Sequence, residues 1–170
     1  CRAVAGCRGE GTADTVPDNR TMHEIRTEVV IDAPPETVWH TVHEDLKNAP
    51  RWTLHLKRAE LVDGRRPGPD SVIRYHLDLG GWKGALEVEH QVWEPPKKCE
   101  GIFTDGPIKG SWAYHYRPVK AGTKLVYEME YDLGGVLRFL GGMLRGQYEQ
   151  GILDTMGRLK EYVETGKVPR

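Results

Sequence analysis

The residue pattern predicts an α+β domain in which an antiparallel sheet of about seven strands is covered by one long C-terminal helix. Three observations predict it. A β-branched run breaks off in "IDAPPETVWHTV" (Ile31–Val42), as a strand does when it hands over abruptly to short helices. Residues 54–133 then alternate apolar and polar side chains between turn-forming clusters. Last, leucines and tyrosines recur at helical spacing from about Val136 to Val163. A meander with one wet and one apolar face needs a cover. A helix of that length, about 40 Å, supplies it.

Each element has its own signal. In "HEIRTEVVI" (residues 23–31), Ile25, Thr27, Val29 and Ile31 alternate with Glu24, Arg26 and Glu28, which is a half-buried strand. Pro34 and Pro35 suit a first helical turn, where a missing N–H costs little, and Asp32 is a plausible cap. A short helix carrying Val38, Trp39 and Val42 follows, and a second is expected around Asp45–Ala49, broken by Pro50.

Candidate strands then cover 54–62, 71–79, 83–93, 98–104, 111–118 and 123–133, separated by turns such as "DGRRPGPD", "EPPK", "DGPIKG" and "KAGT". Alternation puts Ile73, Tyr75, Leu77 and Leu79 on one face, and likewise Leu86, Val88, His90 and Val92. Trp112, Tyr114 and Tyr116 share a face, as do Leu125, Tyr127, Met129, Tyr131 and Leu133. Leu137, Leu140, Leu144, Tyr148, Ile152, Leu159 and Tyr162 line one stripe of the last helix, with Gly166 and Pro169 as stop signals.

The domain spans residues 22–165, with residues 166–170 as a tail. Residues 1–21 are rich in Gly and charge, lack hydrophobic periodicity, and are expected to be a disordered leader or a segment foreign to the native chain, with Met22 as a natural start. The 170 residues suffice for one core, and a formal net charge of −1 argues against an electrostatic grip on nucleic acid. No apolar run approaches the ~18 residues of a membrane span, so a soluble, cytoplasmic protein is expected, a lipid-anchored Cys1 being the alternative. Three cysteines make no disulfide framework, and Cys99 reads as a small core residue. Oligomeric state is open.

The order of elements and several short stretches resemble the START-like (SRPBCC) superfamily, in its polyketide cyclase/dehydrase-like and lipid-transport branch. The entry segment "VVIDAPPETVWHTVHEDLKNAPRW" resembles a strand running into "apxexVW", with a Trp after a second short helix. The matching residues are Ala33, Pro34, Glu36, Val38, Trp39 and Trp52. "WEPPKK" (Trp93–Lys98) resembles that family's turn after the fourth strand, and "AGTKLVYEMEYDL" (Ala121–Leu133) its last strand. The resemblance implies the helix-grip fold, a curved sheet wrapped around the terminal helix, with a cavity between them that holds lipids, polyketides or other apolar molecules. It also makes Trp39 an architectural plug rather than a ligand contact.

Candidate ligand contacts follow from that picture and from the apolar faces. Tyr75, Leu77, Val88 and His90 come from the third and fourth strands, Phe103, Trp112 and Tyr114 from the next two, and Tyr127 and Met129 from the last. Leu140, Leu144, Tyr148 and Gly151 come from the helix. Gly151 allows either close packing or room for a ligand, and Trp82 is placed at the cavity mouth. His90 reads either as a core histidine satisfied by a neighbouring Tyr, or as an anchor and catalytic proton donor or acceptor. His40 and His43, three apart, read as solvated, and His55, His76 and His115 fall on wetter faces. Two histidines make no zinc site and no Cys or carboxylate has matching local spacing, so neither metal nor cofactor is expected. Phosphate-loop and nucleophile-elbow motifs are absent. The sequence thus supports carriage of a small hydrophobic molecule, or else an aromatase/cyclase or dehydrase-type enzyme acting on a polyketide-like carbonyl compound.

Overall fold

A computed structural model describes residues 22–64, 66–79, 82–133 and 141–169. The expected leader lies outside the described residues. Strand β1 (His23–Ile31) leads into helix α1 (Pro35–Trp39), which continues as one π-turn (His40–Glu44); a 3-10 turn (Ala49–Arg51) follows. Six strands come next: β2 (Leu56–Leu61), β3 (Val72–Leu79), β4 (Trp82–Glu94), β5 (Lys98–Asp105), β6 (Ile108–Val119) and β7 (Gly122–Leu133). Helix α2 (Gly141–Thr165) closes the chain. The strands form one antiparallel seven-stranded sheet in the order β1-β7-β6-β5-β4-β3-β2, a meander whose last strand returns to pair with the first. This is the helix-grip fold.

The entry differs from expectation in two ways. Asp32 does not cap α1: Pro34 is the N-cap residue, no side chain caps the helix, and the Asp32 N–H instead donates to Glu164 Oε1 at 2.8 Å. The expected second helix is replaced by the π-turn, closed by Asp45 N–H to His40 C=O at 2.9 Å, and by a 3-10 turn with Pro50 at its centre. Three residues of 3-10 geometry ask for no N–H from Pro50, so proline is tolerated there.

The strand faces follow the alternation except where the register shifts: between Leu56 and Arg58 on β2, and at Glu87/Val88 and His90/Val92 in the β4–β5 pair. After the shift between His90 and Val92, Trp93 pairs with Cys99 and turns inward, while Val92 pairs with Glu100. A β-bulge inserts one residue and flips parity beyond it. The inner faces share one buried cluster, which includes Ile31, Val38, Trp39, Leu125, Tyr131 and Leu159. At Gly101 the Trp112 indole lies so close that an added Cβ would stand 2.5 Å from Cζ2 and 2.2 Å from the Glu89 carbonyl oxygen. Gly122, at φ +116°, turns β6 into β7 directly against the end of β1, where a Cβ would stand 2.1 Å from the Ile31 oxygen.

The last two turns of α2 are tied down: Lys160 Nζ donates to the Val30 carbonyl at 2.6 Å, and Arg158 Nε to the Trp52 carbonyl at 3.2 Å. No helix among the described residues is long and apolar enough to cross a membrane.

A cavity between the sheet and the C-terminal helix

Beneath the middle of α2 the inner face of the sheet bounds a cavity of about 540 Å³. Strands β3 to β5 supply Tyr75, Leu77, Val88, His90 and Phe103 to its wall, and β6 and β7 supply Trp112, Tyr114 and Tyr127. From α2 come Tyr148 and Gly151. An added Cβ on Gly151 would meet nothing within 4 Å, so the helix stands off there instead of packing close.

Met129 is brought to the same region without forming the wall. It is buried, and its Sδ accepts the hydroxyl hydrogens of Tyr127 (3.3 Å) and Tyr148 (3.6 Å). Leu140, and the side chains of Leu144 and Trp82, lie outside the described residues. Trp39 is buried away from the cavity, edge-on to Trp93 with ring centres 5.0 Å apart, its indole N–H donating to Glu44.

The expectation that His43 is solvated is wrong. It is 4% exposed and lines the cavity, with its Nε2 2.8 Å from the Tyr116 hydroxyl. The missed signal is spacing: His43 lies four residues after buried Trp39, so both share a helical side, and their rings are 4.5 Å apart. The segment after the 3-10 turn also escapes the sequence reading. Trp52, Leu54 and Leu56 line the wall, and His55 joins them at φ +61°, just outside β2 rather than within it. Of the two histidines on the short helical segment only His40 is exposed, paired with Glu44 at 2.9 Å.

His90 is not held by a tyrosine. Its Nδ1 lies 2.8 Å from Ser71 Oγ, whose own hydroxyl hydrogen goes to the Gly68 carbonyl at 2.7 Å. One hydroxyl carries one hydrogen, so the network assigns the proton to His90 Nδ1 and the lone pair to Nε2. Burial drives the His90 pKa down to about 4, partly opposed by its bond to the Gly68 backbone. His43 is lowered well below its ordinary value by burial and by its neighbour His90. Both imidazoles are therefore neutral at neutral pH. Burial also keeps Tyr75, Tyr114, Tyr116, Tyr127 and Tyr148 protonated, and pushes the Cys99 thiol up to about 12.

Cys99 is fully buried behind the histidines, and one nitrogen of each imidazole and the thiol sulfur all lie within 4.8 Å of one another. The indole N–H groups of Trp52 and Trp112 have no hydrogen-bond partner among the described residues. No Lys, Arg, Asp or Glu is found among the described residues of the wall. Such a site can enclose an uncharged, mostly apolar molecule and offer it hydroxyl, imidazole and thioether-flanked aromatic contacts. It offers no counter-charge.

Comparison with known proteins agrees with this architecture. Protein TTHA0849 from Thermus thermophilus superposes with a TM-score of 0.68 at 23% identity, over 83% of this chain and 97% of that one. The Zhui aromatase/cyclase from Streptomyces sp. R1128 gives 0.62 at 14% identity, over 86% and 98%. The major latex-like protein 151 from Panax ginseng gives 0.63 at 9%, over 83% and 97%. At these identities the likeness is one of fold. No curated protein matches by sequence. The family model for polyketide cyclase / dehydrase and lipid transport matches residues 22–164. With nearly the whole folded part of the chain inside that match, the protein belongs to the polyketide cyclase/dehydrase and lipid-transport family.

Proposed function

We propose that the protein binds and carries a small, uncharged, hydrophobic molecule, a lipid, polyketide or aromatic compound, between the sheet and α2. The observation that supports this most directly is the wall itself: about 540 Å³ bounded by apolar and aromatic side chains with no charged group among those described. That volume falls within the usual range of small-molecule pockets. An ionised ligand would lose its hydration there with nothing to replace it.

Organic extraction of the purified protein followed by mass spectrometry, together with titration of a solvatochromic apolar dye, tests the reading. A co-purifying neutral species, displaced stoichiometrically by the dye, is the expected result. A dye that stays in water, with nothing extracted, would overturn the proposal.

A second reading is an aromatase/cyclase or dehydrase-type enzyme acting on a polyketide-like carbonyl compound. Two neutral imidazoles on the wall beside Tyr114 favour it, since His43 and Tyr114 have ring centres 5.3 Å apart. His90 Nε2, with its lone pair, is the proton acceptor in this reading. The Zhui protein, similar in fold, is an aromatase/cyclase by name. A His90→Ala variant that retains the dye but loses turnover of a polyketide-like ketone would favour catalysis; unchanged turnover would remove His90 from it.

A further inference from the structure

The buried end of the cavity wall brings together a donor set that carriage of an apolar ligand does not require. His43 comes from the π-turn, His90 from β4 and Cys99 from β5. His90 pairs across the sheet with Gly101, so Cys99 is its diagonal neighbour on the same inner face, and Gly101 puts no side chain between them. His43 descends on this pair from the short helical segment, with its ring centre 6.1 Å from that of His90. One donor atom from each residue lies within 4.8 Å of the other two, and all three residues are buried.

Each imidazole also has the outer contact that metal-binding histidines use to fix their orientation: Ser71 and the Gly68 loop for His90, and the Tyr116 hydroxyl for His43. Trp93 closes the site from the side, its ring centre 4.9 Å from His90 and 5.7 Å from His43.

We propose that His43, His90 and Cys99 form a three-coordinate site for monovalent copper. Two imidazoles and a thiolate are a soft donor set that suits copper(I). Charge decides between metals. Binding breaks the Cys99 S–H bond, releases that proton to solvent, and forms a Cu–S bond; copper(I) plus one thiolate is then neutral. Zinc(II) on the same donors leaves one net positive charge in an apolar interior, at a cost no carboxylate among the described wall residues offsets. Zinc also wants a fourth ligand, and the described residues place only these three together. A trigonal centre with bonds of about 2.0–2.3 Å needs donors about 3.7 Å apart, so the three side chains close in by about 1 Å or less each.

The test uses the full chain with Cys1 and Cys7 replaced by Ser, which leaves Cys99 as its single thiol. Copper(I) is supplied anaerobically as its acetonitrile complex, in competition with the chromophoric chelator bicinchoninate. One equivalent bound per chain, with an ultraviolet thiolate-to-copper band, is expected. Cys99→Ser should abolish the band and weaken retention by more than about 100-fold, and Ser71→Ala, which frees the His90 ring and the Gly68 loop but removes no ligand, should weaken it about tenfold. Circular dichroism melts of the metal-free variants confirm that each is folded, and His90→Gln serves as a second ligand deletion should Cys99→Ser melt early. Copper(I) held equally by Cys99→Ser and His90→Gln overturns the site. One equivalent of zinc(II) bound in preference to copper(I) overturns the choice of metal.

Discussion

The interior has two ends, and they are built on opposite terms. At one end β1, α1 and the last turns of α2 meet in solid packing: Ile31, Val38 and Leu159 are fully buried there, and Lys160 and Arg158 anchor the helix through backbone carbonyls. At the other, the same helix crosses Tyr127, Tyr114 and Tyr75 at a distance, and Gly151 faces open space. One helix thus acts as a clamp over its last turns and as a roof over its middle. Glycine in a helix costs about 1 kcal/mol relative to alanine. It is tolerated under the roof because the clamp carries the stability.

The largest effect should come from breaking the clamp. Leu159→Ala removes a fully buried side chain from the cluster and is expected to cost about 2–5 kcal/mol. Chemical denaturation checks it. A loss under about 1 kcal/mol, well short of a core truncation, would mean the two ends of the helix are energetically alike.

Next in size is a pH effect at the boundary between the ends, where His43 and His90 are buried neutral. Their titratable neighbours Cys99, Tyr114 and Tyr116 are all held protonated by burial, so no carboxylate or cation offsets them. In the metal-free protein the unfolded chain takes up a proton near pH 6.5, whereas folded His90 does so only near pH 4. The unfolded state binds more protons between those values, so stability falls as pH drops through that window. His90 alone accounts for about 3 kcal/mol of loss, complete near pH 4, and His43 adds to it in the same direction.

The clamp's carboxylate responds in a lower window. The Asp32 N–H, and secondarily Lys160, hold Glu164 below its usual range, so its contribution is present above about pH 4.5 and fades beneath it. Denaturation midpoints between pH 7 and 4, compared with those of His90→Gln, separate the two. A flat wild-type profile down to pH 4.5 would contradict the neutral burial of the histidines.

These two regions are not equally legible in the sequence. The roof and the sheet beneath it follow from period-2 and period-3.6 patterns, which is why Tyr75, Val88, Trp112, Tyr127 and Tyr148 can be named together. The boundary is hidden for three separate reasons. The spacing of His43 from His40 suggests a solvated pair, but its spacing from Trp39 decides its burial. Strict alternation points Trp93 outward, because a bulge after His90 leaves no local mark in an alternating strand. Cys99 meets the histidines only through the β4–β5 register, which no local spacing encodes. Parity alone makes Met129 a ligand contact; it does put the side chain inside, but the tyrosine hydroxyls close over it.

Filling the roof should change binding more than folding. Gly151→Leu places a side chain where an added Cβ meets nothing within 4 Å, and is expected to weaken apolar dye binding by at least about tenfold with little change in melting temperature. Unaltered dye affinity would move the ligand away from the helix.

The smallest effect discriminates most finely. Gly151→Ala and Gly157→Ala both replace a helical glycine whose new Cβ meets nothing within 4 Å, and both should gain about 0.5–1 kcal/mol from helix propensity alone. For a domain of this size that is roughly 1–4 °C in melting temperature. Only Gly151 lines the cavity. The two variants should therefore melt alike and bind differently, with Gly157→Ala keeping wild-type dye affinity and Gly151→Ala shifting it. If Gly151→Ala instead lowers the melting temperature, the helix packs onto the sheet at that point, and the roof is in truth a second clamp.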